Sequence, residues 1–306
     1  MIAHNGILLN LVEFFRYTAL GSVYNQIHTE LIAASEKCSN DTSIALEHLD
    51  KAVAFYTGSM HTNDAPWKQG LFYNLAETES RLSGTYHDKK GTSEVNINVF
   101  TRFNLGKSYL NEERCNLFAG IADMVGSLML VPLFQALLRH TYALDSHADS
   151  SEKTQGEAAG LAASVLPFLR FYDESAAVVV YKDLSPGKAT SASFEVIKYQ
   201  LERTYKHLGI SCSEVGGVLN FSGGYWKNAE PCDYVAPSEP TSPPPNNEKN
   251  DSPLIVGVVF GVVGALMAGA FAASKFRNIE KEKVLETSGD LNLEETQNKQ
   301  IDAEVI

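Results

Sequence analysis

The sequence predicts an all-α chain: an extracellular helical bundle domain followed by a stalk, one transmembrane helix and a short tail. Three observations predict it. Seven segments carry apolar residues at helical rather than alternating spacing, a proline-rich run follows them, and one uninterrupted apolar run lies near the C-terminus. The helical segments are 7–34, 43–57, 66–83, 95–110, 112–144, 152–182 and 192–208.

The first segment sits in "MIAHNGILLNLVEFFRYTALG". It has no basic n-region, places Glu13 in its apolar part and lacks a good small-x-small cleavage site, so it reads as an amphipathic helix rather than a signal peptide. The expectation is an exported chain whose own leader lies upstream of these residues. Asp41-Thr42-Ser43, with Glu47 nearby, is a helix-start signal for the second segment, and Pro66 suits the first turn of the third. The fifth is long and apolar but contains Asp123, Pro132, Gln135 and Arg139, so it is expected to be a buried helix of a water-soluble bundle, bent at Pro132, rather than a second span. In the sixth, Val178-Val179-Val180 is also consistent with a short strand. No repeat at a fixed short period points to a solenoid.

Residues 1–236 make one domain-sized unit, and "PSEPTSPPPNNEKNDS" within 237–253 reads as an extended stalk. Leu254 to Ala273 holds 20 residues without a charge, amide or proline, about 30 Å as a helix and long enough for a bilayer core. The span is placed at 254–274. Lys275, Arg277, Lys281 and Lys283 follow it closely, which puts the tail, 275–306, in the cytoplasm and the long N-terminal part outside, at the plasma membrane. The tail has too little apolar content for a core. Gly257, Gly261, Ala265 and Gly269 form a small-residue stripe, the pattern of a homodimer contact between spans.

Cys38, Cys115, Cys212 and Cys232 all precede the span, which suits two disulfides in an oxidising compartment. Three pairings are open, and Cys212 with Cys232 closes the smallest loop. No paired Cys/His spacing points to zinc or redox chemistry. Sequons at Asn40, Asn220 and Asn250 lie on the same side; Pro253 weakens the third, leaving Asn40 and Asn220 as glycosylation candidates. A net charge of −12 without a basic cluster interleaved with aromatics argues against nucleic-acid binding.

Polar groups recur on apolar helix faces. In the second segment Tyr56 falls amid Ala45, Leu49, Ala52 and Val53; in the third, Glu79 is centred on a stripe of Leu71, Phe72, Leu75 and Leu82, with Tyr73 and Glu77 leaving from the opposite flank. Gln135, Arg139 and Tyr142 form a polar line along the fifth, and Glu157 shares a face with Leu161, Val165 and Phe168. Singly, each suits a core polar group with a hydrogen-bond or ion-pair partner. Together, Tyr56, Tyr73, Glu79, Tyr142 and Glu157 offer oxygen donors that suit a hard trivalent ion such as Fe(III), with Arg139 able to hold a planar oxyanion such as carbonate. Phenols must lose a proton to bind, so affinity should fall with acid. His48, His61 and His140 read as ordinary polar residues.

In this order, "LDKAVAFYTGS" (49–59), "GLFYNLAE" (70–77), "VPLFQALLRHTY" (131–142), "AAGLAASVLPFL" (158–169) and "YKHLGISCSEVGG" (205–217) resemble the algal iron-assimilation family, including the phytotransferrins of diatoms and related marine microalgae. The likeness runs over most of 44–235, and a stalk, C-terminal anchor and short tail are similar to its surface-anchored members. The resemblance implies ferric iron capture at the cell surface with carbonate as synergistic anion, then endocytosis into vesicles. Where members often carry a basic stretch after the Tyr-x-Leu-Ala element, this chain has Glu77-Thr78-Glu79.

The rival expectation is a single-pass adhesion or signalling ectodomain whose inward polar groups are structural. An enzyme is not expected: no H-E-x-x-H, G-x-S-x-G or P-loop pattern occurs, nor a Cys/His nucleophile pair.

Overall fold

The computed structural model describes residues 2–58, 71–146, 148–187 and 192–232, with side chains from residue 11 onward and, in the third helix, from residue 72. Pro66, the stalk, the transmembrane span with its glycine stripe and the tail lie outside the described residues. All described elements fall within one compact unit, Met1–Asn247.

The fold is all-α, in the order α1 (Ile2–Cys38), α2 (Thr42–Thr57), α3 (Leu71–Ser83), a hairpin of β1 (Tyr86–His87) and β2 (Thr92–Ser93), α4 (Glu94–Asn111), α5 (Cys115–Asp145), α6 (Glu152–Tyr172), α7 (Glu174–Leu184), α8 (Phe194–Leu208) and α9 (Cys212–Val215). α5 is the central rod: it packs against α1, α3, α4, α6, α8 and α9. It is the one described helix long and apolar enough to cross a membrane, and most of that apolar window is buried inside the bundle. A helix covered by neighbours on nearly every face needs apolar residues on nearly every face, which explains its composition. It continues through Pro132.

Short polar signals set the helix ends. Asp41 caps α2 by accepting from Ile44 N at 3.1 Å, and Ser93 caps α4 by accepting from Asn96 N at 3.0 Å. The sequence reading of one helix over 152–182 is corrected: Asp173 is extended, ends α6, and caps α7 through Ala176 N at 2.9 Å. The three valines are helical, inside α7, because that cap restarts the helix before them. The hairpin and α9 went unpredicted. Two-residue strands carry too little pattern to read, and α9 is a single turn held by a capping box between Ser211 and Glu214.

Two disulfides are present, Cys38–Cys115 and Cys212–Cys232. The first ties the end of α1 to the start of α5, and the second closes the C-terminal segment onto α9. They span 77 and 20 residues, loops whose closure stabilises by roughly 3–5 kcal/mol each on chain-entropy reasoning.

Close helix contact decides which polar groups meet. At Gly160 of α6 a Cβ would stand 2.6 Å from the Phe14 carbonyl oxygen and 2.9 Å from Tyr17 Cβ. Only glycine permits that approach. Ser164, one turn on, donates to the Tyr17 carbonyl at 2.8 Å. α1 and α6 are thereby locked with Glu13 and Tyr17 beside the helix that carries Glu157.

Candidate functional site

The inward face of α3 runs through Phe72, Ala76, Glu79, Ser80 and Ser83. The predicted stripe is corrected at its end: Leu82 is exposed, and the small Ser80 and Ser83 take the buried positions instead. Glu79 is 1 % exposed. A lone carboxylate there would cost several kcal/mol in lost hydration. Arg139 of α5 offsets this with two parallel bonds, Nε to Glu79 Oε2 at 2.8 Å and a terminal nitrogen to Oε1 at 2.7 Å.

The same guanidinium lies 2.9 Å from His140 Nε2. Arginine has only donors, so Nε2 accepts, and the neutral ring carries its proton on Nδ1. That nitrogen faces Glu157 Oε2 at 3.3 Å. Burial, then the charges of Arg139 and Lys153, push the His140 pKa well below the ordinary histidine value. Burial raises the Glu157 pKa, Lys153 opposes that rise at 3.7 Å, and the buried Glu13 adds to it.

Tyr17 completes the group. Its ring stands edge-on to His140 with centroids 6.0 Å apart, and its phenol is pushed up to about 12 by burial and by the charges of Glu157 and Glu79. Four helices thus bring together a phenol, three carboxylates, a buried guanidinium and an imidazole: Glu13 and Tyr17 from α1, Glu79 from α3, Arg139 and His140 from α5, and Glu157 from α6, with the more exposed Arg16 on Glu13 at 3.4 Å and Lys153 on Glu157. Among the residues singled out in the sequence, Glu79, Arg139 and Glu157 are brought into this group. Tyr17 was missed, although Glu13 and Tyr17 at i and i+4 in an apolar run are the signal that marks it.

Tyr56 and Tyr73 lie in a different environment. The Tyr56 hydroxyl is fully buried and donates to Asn96 Oδ1 at 2.6 Å; Asn96 Nδ2 in turn donates to Glu77 Oε1 at 2.7 Å and to the Tyr73 carbonyl at 3.2 Å. Phe72, Phe100 and Phe103 surround the Tyr56 ring, and Tyr73 packs edge-on against Phe100. Burial, then Tyr73 and Glu77, drive the Tyr56 phenol far above its ordinary pKa. Glu77 does not leave on an outer flank: it also accepts from Ser93 N at 2.9 Å and from the Thr92 hydroxyl, which ties α3 to the hairpin.

Tyr142 is in a third place, stacked on Trp226 at 5.8 Å and edge-on to Phe194 at 5.1 Å. Gln135 gives its amide hydrogens to Thr85 Oγ1 and to the carbonyls of Glu214 and Val215, fastening α9 to α5. Among the described residues, no three His, Cys, Asp or Glu side chains are grouped so as to hold a metal ion. Asn40 is exposed in the turn between α1 and α2, and Asn220 is half-buried in a turn after α9.

No protein-family model, curated protein or solved structure matches the chain.

Proposed function

We propose that this chain is a cell-surface ferric iron-binding protein, not an enzyme, that captures Fe(III) with carbonate for endocytic uptake. The outer domain would be carried on the 237–253 stalk and held in the plasma membrane by 254–274, with 275–306 inside. The observation that carries the reading is the Glu79 carboxylate seated in the fork of Arg139 beside Tyr17 and Glu157. A carboxylate presents the same planar pair of oxygens as carbonate. Carbonate can therefore replace Glu79 in the fork, freeing Glu79, with Tyr17 and Glu157, to give oxygen atoms to a hard trivalent cation. A raised phenol proton must be displaced, so capture is favoured in alkaline water and release in acid. The ordered likeness to the algal iron-assimilation family supports the same reading.

The test uses the purified full chain in detergent, with ferric nitrilotriacetate and bicarbonate. A tyrosinate-to-iron colour band is expected, lost without bicarbonate and lost in Tyr17→Phe, but kept in Tyr56→Phe. A colourless product overturns iron binding; colour that survives Tyr17→Phe moves the site elsewhere. A second reading, an adhesion or signalling ectodomain with no metal site, is favoured by the way Glu79 and Arg139 satisfy one another, and the colourless outcome would support it.

A further inference from the structure

The segment after α9 turns back on itself with Asn220 at its corner. Asn220 N donates to Gly224 O at 2.7 Å, Gly223 N donates to Asn220 O at 3.1 Å, and Leu219 and Tyr225 form an antiparallel bridge below. The Asn220 side chain is held in one orientation: Oδ1 accepts from Ser222 N at 2.8 Å and Gly224 N at 3.3 Å, while Nδ2 donates one hydrogen to Tyr225 O at 3.1 Å. Nδ2 has two hydrogens, so substituting the second leaves these bonds in place. Beside it Phe221 is 102 % exposed, with its ring edge-on to the half-exposed Trp226 at 6.1 Å. An aromatic ring held entirely in water is a ready surface for an apolar sugar face.

We propose that Asn220 carries an N-linked glycan whose first sugar lies against the exposed rings of Phe221 and Trp226. This rests on the reading that the outer domain is exported. In the transfer, Asn220 Nδ2 forms a bond to the anomeric carbon of an N-acetylglucosamine at the head of a polyprenyl-pyrophosphate oligosaccharide. The bond from that carbon to the pyrophosphate oxygen breaks, the lipid pyrophosphate leaves with the electron pair, and the displaced amide proton passes to a base of the transferase. Ser222 supplies the third sequon position and is exposed.

The experiment expresses the full chain in a eukaryotic secretory host and maps peptides after enzymatic glycan release, which leaves Asp at each formerly occupied Asn. Asn40, exposed in its turn, serves as the control for export. Occupancy of both Asn40 and Asn220 is expected. Ser222→Ala removes the Asn220 glycan while keeping the backbone N–H that Asn220 Oδ1 accepts. It is expected to lower the melting temperature by about 2–4 °C, the shift that roughly 1 kcal/mol produces in a domain of this size. In a Phe221→Ala background the glycan stays and this difference disappears. Occupied Asn40 with bare Asn220 overturns the proposal while leaving export intact, and both sites bare overturns export as well. A difference that persists in Phe221→Ala overturns the sugar contact.

Discussion

Two largely buried polar regions are built from opposite materials. Around Tyr56 a phenol, the Asn96 amide and an aromatic shell make a mostly neutral network whose single carboxylate, Glu77, is filled by hydrogen bonds from Asn96, Thr92 and Ser93. Around Arg139, charges of both signs are held in pairs, with Glu79 on one side and His140 leading to Glu157 on the other. A neutral network with matched donors and acceptors has nothing to exchange. A charged one, in which Glu79 pairs with Arg139, Glu13 with Arg16 at 3.4 Å and Glu157 with Lys153 at 3.7 Å, is made of partners that a cation or a proton can replace. The difference is why the second region is the one proposed for binding, with the first as a rigid support.

The largest expected effect lies in the charged region. Arg139→Met strands Glu79 and should cost about 3–5 kcal/mol by urea unfolding, whereas Glu79→Leu with Arg139→Met should recover most of that loss. A single-variant cost below about 1 kcal/mol would erase the contrast between the regions. Next is pH. His140 in the folded protein binds a proton less readily than an ordinary histidine. Its contribution is therefore fully present above pH about 6.5 and is lost as pH falls from there toward its lowered value, by about 1.4 kcal/mol for each unit of depression. Glu157 acts oppositely at lower pH, because its raised pKa lets the folded state hold a proton more readily. Melting temperatures between pH 7.5 and 5.5 isolate the histidine when compared with His140→Gln, which can still accept from Arg139 and donate to Glu157. The variant should show the shallower acid slope.

Smaller effects are expected in the neutral region. Tyr56→Phe leaves Asn96 Oδ1 without its donor and should cost about 1–3 kcal/mol in denaturant unfolding at every pH from 5.5 to 7.5. A pH-dependent cost would mean that charge reaches Tyr56 after all. Ser93→Ala removes the cap that accepts from Asn96 N, and calorimetry should record a loss of about 1 kcal/mol.

Helix existence was legible because it is a local property. The spacing of Ala45, Leu49, Ala52 and Tyr56 announces which face turns inward, and all four are buried. Caps at Asp41 and two disulfides were readable on the same grounds, from short spacing and composition. The break at Asp173 was not, since a capping aspartate in the middle of an apolar pattern competes with continuation of the helix and the outcome depends on packing. In the candidate site, inward direction was legible for Glu79 and Glu157 while their companions were not, so three phenols assigned to the same set occupy two other environments.

What the sequence by itself determined is therefore the class of the fold, the inward faces and the supply of buried oxygen donors, because periodicity and side-chain chemistry act within a few turns of one helix. Only the tertiary structure decided which donors meet. Glu79 and Arg139 stand 60 residues apart along the chain, and Tyr17 reaches Glu157 only because Gly160 lets α6 close on the backbone of α1. A helix face specifies the direction of a side chain, and the neighbour it finds there is set by which helices approach and how closely.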